Sequence, residues 1–369
     1  NTAYTSTATA TGAPSSVTYY DSLGRVIRTQ TTGFDGSTLI YQDTVYDNLG
    51  RVAQKSLPYY SGQTVYWTRF TYDALGRVVQ ETAPDGSKTT IAYNGLTVRT
   101  TNDLGQTQVK TTNTQGQLAS VTDPKGNKLT YGYDPLGNLL TTTDPNGNVS
   151  RLTYDLRGRK TAMADPDMGN WQYRYNALGE LVGQTDAKGQ VSSLSYDKLG
   201  RLVQRNEPDL VSNWYYDKNA DGSACGKGVG KLCEARSDNG YRRKTTYDGY
   251  GRFSQESTTL DIAYTTAVSY DTLGRVATRN WPTGFSVKYV YTTLGFLKEV
   301  RQNDSGNALL WQANTYDAPG HLLTQTYGNN VVTQRTYQPA TGRLTGILAG
   351  AGNGVQNLRS EEHTDETQS

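Results

Sequence analysis

Histidine is the side chain that most often transfers protons in enzymes, and this sequence of 369 residues contains only 2. A Ser-His or Cys-His nucleophile pair needs an imidazole beside the nucleophile. His363 lies near the C terminus, and His321 follows the turn-like stretch YDAPG. We interpret His321 as a solvated turn residue. We expect no catalytic residue in this chain, and therefore no enzyme activity.

The two cysteines, Cys225 and Cys233, lie in the longest insertion of the chain with seven residues between them. A disulfide that closes this loop is expected if the protein is exported, and two free thiols are expected if it is not. The sequence leaves both states open. The nearby residues that could share a metal are carboxylates only, so we expect neither a metal nor a cofactor.

Carboxylates recur in the pattern Asp-Pro-x-Gly, at Asp123, Asp134 and Asp144. Paired carboxylates can act as acid and base, which makes this pattern a candidate for chemistry. Proline fixes φ at the start of a turn, and an aspartate can bond its own backbone two residues further on. We therefore interpret all three as turns.

These turns belong to a unit that repeats along the whole chain. Tyr-Asp-x-Leu-Gly begins at Tyr20, Tyr46, Tyr72, Tyr133, Tyr196 and Tyr270, and looser copies begin at Tyr154, Tyr175, Tyr247, Tyr291, Tyr316 and Tyr337. Between Tyr133 and Tyr196 the spacing is 21 residues three times in succession, and elsewhere it reaches 25, 26 or 31. A fixed period of this size is typical of repeat architectures. The predicted structural motif consists of Tyr20, Asp21, Gly24, Arg25, Tyr46, Asp47, Gly50, Arg51, Tyr72, Asp73, Gly76, Arg77, Tyr133, Asp134, Gly137, Tyr154, Asp155, Gly158, Tyr196, Asp197, Gly200, Arg201, Tyr270, Asp271, Gly274 and Arg275.

Each repeat predicts two strands and two turns. From Tyr20 to Tyr316 there are thirteen copies when Tyr93 and Tyr216 are counted with those above. The residue two positions before the Tyr is apolar or aromatic in nine of the thirteen, as in Phe70 and Ile91, which predicts one buried face. Asp-x-Leu-Gly then closes a hairpin, because Gly adopts a positive φ. A second strand leads to a Pro-x-Gly turn such as 84–87. We expect the motif Leu to fold over the Tyr ring and the motif Asp to pair with Arg across the turn.

The pattern therefore predicts an all-β protein, a continuous antiparallel meander of about thirty strands. A flat sheet of that size would leave an apolar face wet and two edges exposed, so it must curl, stack or be covered. A β-propeller is the alternative, because two repeats make 42 residues and a four-stranded blade takes about 40–45. The sequence shows no alternation with a 42-residue period, so we rank the propeller behind the curled meander.

The composition favours a sheet with a solvent-exposed face over a compact enzyme. Hydrophobic residues make up 35% of the chain and charged residues 19%, and 28 Tyr stand against 5 Phe. The formal net charge of +2 gives no indication of a nucleic-acid partner. No apolar run approaches the ~18 residues of a membrane span. The chain begins at Asn1, and we expect it to be an internal piece of a longer protein.

The terminal segment RSEEHTDETQS, residues 359–369, matches nothing before it. It is similar to a translated sequencing adapter, so we expect a non-native, disordered tail that follows a repeat region over 1–358. Without its one Arg and four acidic residues the net charge rises from +2 to +5 (2 − 1 + 4). That value is still only weakly basic.

Copies written YDxLGRxxxxxxxPxGxxxxxxY resemble the YD, or RHS, repeat of bacterial Rhs polymorphic toxins, Tc toxin C components and teneurins. The resemblance covers residues 16–345, where 327–347 is similar to a block of Rhs chains and 225–233 to an insert of bacterial members (about 217–240 in all). It implies a sheet that spirals into part of a hollow shell, which in toxins encloses a C-terminal effector. Rhs shells end in an Asp-Pro-x-Gly segment linked to self-cleavage, which we expect beyond residue 358.

The resemblance implies a structural, encapsulating segment of a secreted bacterial toxin. Its implied partners are its own C-terminal toxin domain, the remaining shell repeats and a delivery component. The alternative is a cell-surface carbohydrate-binding or adhesion module, in which aromatic rings stack on sugars. That alternative rests on Trp67, Trp171, Trp214, Trp281 and Trp311. The spacing of most of them, however, places them on the same strand face as the motif Tyr, which we expect to be buried.

Overall fold

The computed structural model describes residues 2–350 and 356–360, and this part of the chain contains strands and turns but no helix. Its 33 strands form one antiparallel sheet, so the predicted meander is confirmed and the propeller, which divides into separate blades, is wrong. The strands are β1 (Tyr4–Ala8), β2 (Ser16–Tyr20), β3 (Val26–Thr32), β4 (Leu39–Tyr46), β5 (Val52–Ser56), β6 (Tyr59–Tyr60), β7 (Trp67–Tyr72), β8 (Val78–Thr82), β9 (Lys88–Asn94), β10 (Thr97–Thr101), β11 (Thr107–Thr112), β12 (Leu118–Thr122), β13 (Lys128–Tyr133), β14 (Leu139–Thr143), β15 (Val149–Tyr154), β16 (Lys160–Asp165), β17 (Gly169–Tyr175), β18 (Leu181–Thr185), β19 (Val191–Tyr196), β20 (Leu202–Asn206), β21 (Val211–Tyr216), β22 (Leu232–Ser237), β23 (Arg242–Tyr247), β24 (Phe253–Thr259), β25 (Ala263–Tyr270), β26 (Val276–Asn280), β27 (Ser286–Tyr291), β28 (Leu297–Gln302), β29 (Leu309–Tyr316), β30 (Leu322–Tyr327), β31 (Val332–Tyr337), β32 (Leu344–Gly350) and β33 (Gln356–Ser360).

The chain divides into two compact units. The first consists of Asn1–Ile91, Ser269–Asn280 and Phe285–Ser369, and the second of Ala92–Val268 and Trp281–Gly284. The last strand, β33, includes the first two residues of the predicted tail, whereas 361–369 lie outside the described residues.

Several strands alternate between half-buried and exposed residues, as predicted, whereas others, such as β14 and β16, are half-buried along their whole length. In β17 the exposure pattern runs half-buried, exposed, half-buried along GNWQYRY, which puts Trp171, Tyr173 and Tyr175 on one face. In the described residues only six hydrophobic side chains are fully buried. A sheet with so small an apolar interior depends on contacts within its own layer.

Most YD hairpins contain a β-bulge, a feature that the repeat pattern did not predict. In the hairpin of β7 and β8, Tyr72 pairs with Val78 but Thr71 pairs with Gln80, so Val79 has no partner. The same register shift precedes the motif Tyr in the hairpins of Tyr20, Tyr46, Tyr133, Tyr154, Tyr175, Tyr196, Tyr216, Tyr247, Tyr291 and Tyr337. An extra residue bends the bulged strand and increases its twist.

The turns lie in two rows, one at each end of the strands. Turns that follow a motif Tyr lie at one end of the strands, which we call the YD edge, and the turns between repeats lie at the other end, the opposite edge. Both use one geometry: Asp73 N–H bonds Arg77 O and Gly76 N–H bonds Asp73 O, and Ala83 with Ser87 and Gly86 repeats the arrangement. The glycine takes a positive φ, +79° at Gly76, as this three-residue loop requires.

Within the first unit, the opposite edge of residues 1–91 packs against the YD edge of residues 269–343, and we call this contact the seam. Gly12, in the loop between β1 and β2, lies so close to Leu273 that a Cβ atom on Gly12 would collide with the Leu273 side chain. A Cβ on Gly295 would likewise collide with the Gly12 carbonyl oxygen. Position 295 must therefore be glycine, because the obstructing atom belongs to the backbone, whereas at Gly12 the obstructing atom is the end of the Leu273 side chain.

The seam continues along the next turns of the first unit. The Phe34 ring, in the loop between β3 and β4, lies 4.8 Å from the ring of Tyr316 and 5.8 Å from that of Phe296. The Tyr60 hydroxyl, in β6, donates a 3.0 Å hydrogen bond to the Tyr316 carbonyl. Strands far apart in sequence are thus joined edge to edge.

The seam predicts that Gly12→Ala lowers the melting temperature more than Gly36→Ala does. Both glycines have a positive φ, +74° and +81°, so both substitutions introduce backbone strain of about 1–2 kcal/mol. Only Gly12 also has Leu273 against it, whereas no atom lies within 4 Å of a Cβ on Gly36. Overpacking adds about 1–3 kcal/mol.

Thermal unfolding followed by circular dichroism measures the difference, and Gly36→Ala is the matched control. Equal melting temperatures for the two variants would contradict the tight contact between Gly12 and Leu273.

Candidate functional site

The repeated turn is the arrangement that this chain copies most often, and its Asp organises it. In the turn after Tyr72, Asp73 Oδ1 accepts hydrogen bonds of 2.9 Å from the backbone N–H groups of Leu75 and Arg77, and Oδ2 accepts one of 2.7 Å from Arg77 Nε. The predicted pairing of Asp and Arg across the turn is confirmed. The pairs are Asp21 with Arg25, Asp47 with Arg51, Asp73 with Arg77, Asp155 with Arg159, Asp197 with Arg201, Asp248 with Arg252 and Asp271 with Arg275.

These hydrogen bonds hold the motif carboxylates in their charged form. The backbone N–H of the arginine four residues on is the largest cause that lowers the pKa of Asp21, Asp47 and Asp73 below the ordinary value. The arginine side chain lowers the pKa further in each case. An acceptor-only carboxylate with a lowered pKa suits a turn cap and does not suit a general acid.

The motif Arg also contacts the tyrosine of the following repeat. The Arg51 guanidinium lies over the Tyr72 ring, 4.5 Å from its centroid, and the Tyr72 hydroxyl donates a 2.7 Å hydrogen bond to the Val52 carbonyl. We call this combination the Arg–Tyr staple, because it ties one YD turn to the next. The guanidinium-over-ring contact recurs for Arg25 and Tyr46, Arg159 and Tyr175, Arg201 and Tyr216, and Arg275 and Tyr291.

The hydroxyl half of the staple recurs as well. The bond from a motif Tyr to the first carbonyl of the neighbouring strand measures 2.9 Å at Tyr46, Tyr133, Tyr175, Tyr196 and Tyr291. The staple was not predicted, although a signal was present in the sequence: Arg follows the motif Gly directly and precedes the next motif Tyr by 15 to 21 residues, as in Arg201 to Tyr216 (216 − 201) and Arg51 to Tyr72 (72 − 51).

The expected packing of the motif Leu on the Tyr ring is wrong. Leu23, Leu49, Leu75, Leu178 and Leu199 are all at least 74% exposed. The ring face is occupied by a guanidinium from the preceding repeat instead, because the bulge and the tight turn leave the Leu at the tip of the hairpin.

The three Asp-Pro-x-Gly aspartates are turn residues, as interpreted. Asp123 Oδ1 accepts from Lys125 N–H and Asn127 N–H, at 2.9 and 2.8 Å, and the side-chain amide of Asn127 bonds Oδ2. That amide bond is the largest cause that lowers the pKa of Asp123. Asp134 and Asp144 repeat the same contacts with an asparagine four residues on.

His321 occupies the position that Arg takes in other repeats. Its Nδ1 lies 2.7 Å from Asp317 Oδ2, and its ring stacks on that of Tyr337 with centroids 4.5 Å apart. It is a turn residue, as predicted, but it is half-buried. Like the motif Arg, it pairs with the Asp of its own turn and covers the Tyr ring of the next repeat.

His321 also lines a cleft of about 960 Å³ in the first unit, which lies along the seam. Loops 57–66 and 83–87 form one wall, and residues 317–323 and 337–342 form the other. The lining is mostly proline, tyrosine and small side chains, with Asp85 and Asp317 as its carboxylates.

Cys225 and Cys233 are bonded as a disulfide in the structure, with their Cα atoms 5.7 Å apart, and both are buried. The insertion lies within a YD turn: Asp217 N–H still bonds the carbonyl of Lys231 at 3.0 Å, as Asp73 does with Arg77. Lys231 takes the staple position, 4.9 Å from the Tyr247 ring centroid. The insert is therefore narrower than the expected 217–240, since β22 begins at Leu232.

Glu234, beside the disulfide, is the one fully buried carboxylate among the described residues. Burial alone would raise the pKa of Glu234, but hydrogen bonds from Arg242 Nε at 2.7 Å and Ala220 N–H at 3.0 Å lower it. No pattern in the sequence singles out this residue, because the equivalent position varies freely between hairpins: it is Arg28, Gln80 and Glu299 in the hairpins of Tyr20, Tyr72 and Tyr291.

The five tryptophans are half-buried, four of them in strands and Trp281 in the turn after β26. The indole N–H of Trp171 donates a hydrogen bond to the Met168 carbonyl, and that of Trp311 donates one to the Gln325 side chain. In residues 2–350 and 356–360 no helix is long and apolar enough to cross a membrane. The same residues contain no cluster of three or more His, Cys, Asp or Glu side chains with metal-binding geometry.

The fold and its turn motif define a repeat protein built from one antiparallel sheet. The family model described as RHS Repeat matches residues 113–149, 133–167 and 175–209, and a domain of unknown function, DUF6443, matches residues 1–69. The chain therefore contains RHS repeats over residues 113–167 and 175–209, as its sequence predicts. A comparison with curated proteins finds no match.

Solved structures share the fold over most of the chain. The crystal structure of TcdB2-TccC3-TEV aligns with a TM-score of 0.79 at 18% identity, and that of TcdB2-TccC3 without its hypervariable C-terminal region with 0.78 at 18%. The Photorhabdus luminescens Tc holotoxin pore aligns with 0.77 at 17%. Each alignment covers 94% of this chain but 21% of the other. The chain thus spans about a fifth of the length of the proteins it matches.

The turn carboxylates predict that the sheet loses stability in acid. A group with a lowered folded-state pKa binds fewer protons when folded, so its stabilisation is present above the unfolded value near 4 and is lost as the pH falls through the folded value. The melting temperature should therefore be flat from about pH 7 to 5 and fall steeply below about pH 4. Melting curves between pH 2 and 7 measure this, and a melting temperature that did not fall below pH 4 would contradict it.

The staple predicts that Tyr72→Phe destabilises the protein by about 1 kcal/mol, because the Val52 carbonyl loses its hydrogen bond. Tyr131→Phe is the control, since the Tyr131 hydroxyl makes no hydrogen bond within the described residues. Chemical denaturation of both variants gives the free energies of unfolding. A double-mutant cycle that pairs Arg51→Met with Tyr72→Leu should give a coupling of about 0.5–1 kcal/mol, and additive effects would refute the staple.

Proposed function

We propose that this chain is a wall segment of an RHS-repeat toxin shell, and that the wall encloses an effector domain of the same polypeptide. The seam carries the proposal. A containing wall must meet itself edge to edge, and residues 1–91 and 269–343 do so through Gly12, Phe34 and Tyr60.

The shared fold supports the same role. TcdB2-TccC3, whose structures align with this chain, has a hypervariable C-terminal region. We infer that this chain likewise belongs to a longer, exported protein, secreted or at the bacterial surface. Its partners would be that C-terminal domain, the remaining repeats and a delivery component.

The role requires no catalysis by the repeats, and we propose that they perform none. The motif carboxylates are held by backbone N–H groups and arginines, and His321 is held by Asp317 and Tyr337. Because these polar groups already have partners within the protein, their contacts support a structural function for them. The tryptophans are half-buried, which leaves the carbohydrate-binding alternative without a specific observation in its favour.

Protease protection of the full-length gene product tests containment. The C-terminal domain should resist protease in the native protein and become sensitive when denaturant opens the wall. Gly12→Ala in the full-length protein should shift that opening to lower denaturant, and Gly36→Ala should shift it less. Equal cleavage of the C-terminal domain with and without denaturant, or a gene that encodes no such domain, would overturn the proposal.

A further inference from the structure

We propose that the cleft along the seam is a binding site for a small organic cation. The carboxylates of Asp85 and Asp317 receive the charged group of this ligand, and the proline and tyrosine walls receive its apolar body. A containing wall needs no ligand, so binding at this cleft is a second function of the chain beside the proposed one.

The cleft has the size and the lining of a small-molecule pocket. Its volume of about 960 Å³ falls within the range of about 300–1,000 Å³ that is typical of such pockets. Tyr59 and Tyr66 lie on one wall and Tyr337 lies on the other, and each wall contributes two prolines. Small-molecule pockets are mostly apolar with a few placed polar groups. Here the charged ones are two carboxylates, one on each wall.

No permanent cation accompanies these carboxylates in the cleft. Of the 369 residues of the chain 36 are Lys or Arg, yet none of the described residues that line the cleft is one of them. Lys88 and Arg343 directly follow lining residues in the sequence but are not part of the lining. The cleft is therefore electronegative, which favours a positively charged ligand.

Asp317 differs from the seven motif aspartates that pair with an Arg. Its Oδ2 lies 2.7 Å from Nδ1 of His321 instead, and an imidazole is mostly uncharged above about pH 7. The charge of Asp317 also acts on Tyr60: burial is the largest cause that raises the pKa of Tyr60, and the carboxylates of Asp317 and Asp35 raise it further. This turn thus presents net negative charge to the cleft.

Asp85 has one carboxylate oxygen available to a ligand. Its Oδ1 accepts hydrogen bonds from the Ser87 hydroxyl at 2.7 Å and from the Ser87 N–H at 3.0 Å. These bonds hold the pKa of Asp85 below its ordinary value, the hydroxyl contributing most, so the side chain is charged at neutral pH. Its Oδ2 makes no hydrogen bond within the described residues, so it can accept one from an ammonium or amidinium group.

A tyrosine ring is also available in the cleft. Cations lie over tyrosine rings elsewhere in this chain, as Arg51 does over Tyr72 and Lys160 over Tyr173, at 4.5 and 4.3 Å from the centroids. The Tyr66 ring is half-buried and has no aromatic or cationic partner within the described residues. A flat cation with an apolar body can contact such a ring as well as the carboxylates.

Isothermal titration calorimetry with two isosteric probes tests the site. Benzamidinium is a flat cation, and benzamide is its neutral counterpart. At pH 8 and low ionic strength the chain should bind benzamidinium at least about tenfold more tightly than benzamide, because two nearby carboxylates stabilise the charge. Equal affinities for the two probes, or no binding of either, would overturn the proposal.

The variant Asp85→Asn/Asp317→Asn should reduce the preference for benzamidinium to less than about twofold. Asn is accommodated at both positions: Asn146 takes the place of Asp85 in the turn 144–148, and Asn176 caps a YD turn in the place of Asp317. Asp47→Asn/Asp73→Asn is the matched control, because it removes two turn carboxylates of the first unit that do not line the cleft. The control should keep the preference, and an equal loss in both double variants would refute the site.

A photoreactive benzamidinium locates the ligand on the wild-type chain and therefore does not depend on how the variants fold. Labelled peptides should contain the lining segments 57–66, 83–87, 317–323 or 337–342, and excess benzamidinium should suppress the labelling. Labelling confined to other parts of the chain would assign the binding to a different place and contradict the proposal.

Discussion

A single-layer sheet cannot rely on a buried core, so its hairpins must be fastened to one another within the layer. In this chain the fastening is done by the side chains of the YD turn. The Asp carboxylate ties the turn together, the Arg reaches over the next Tyr, and that Tyr bonds the neighbouring backbone. Each contact is modest, about 0.5–1.5 kcal/mol for a hydrogen bond or a cation–π pair. Their repetition along the described part of the sheet, in the seven Asp–Arg pairs and five Arg–Tyr contacts named above, makes the set decisive.

Much of the fold could be predicted from the sequence, because local turn chemistry and strand alternation both point to an antiparallel meander. Phe70 and Ile91 lie on the half-buried face that their spacing predicts, and Asp73 caps its turn. The Leu–Tyr contact was predicted wrongly, because the pattern shows which residues recur and does not show which repeat supplies each partner. The Tyr ring is covered by Arg51, which belongs to the repeat before it.

Other features lay beyond the sequence for physical reasons. The bulge before most motif tyrosines depends on how a three-residue loop fits a twisted ladder, and its extra residue, Val79 in the hairpin of Tyr72, is an ordinary strand residue. The seam depends on where strands hundreds of residues apart arrive in space, as Tyr60 and Tyr316 show. The contact between Gly12 and Leu273 leaves no trace in the local pattern, since other glycines with the same φ have open space around them.

The insertion between Asp217 and Lys231 shows how tolerant this arrangement is. Thirteen residues, 218–230, replace the three that separate Asp73 from Arg77, yet the closing backbone bond and the contact with the next Tyr are kept. A turn defined by its two end residues accepts added sequence without altering the strands around it. Loops or whole modules can therefore be inserted at the turns of such a protein during evolution while the sheet itself is conserved.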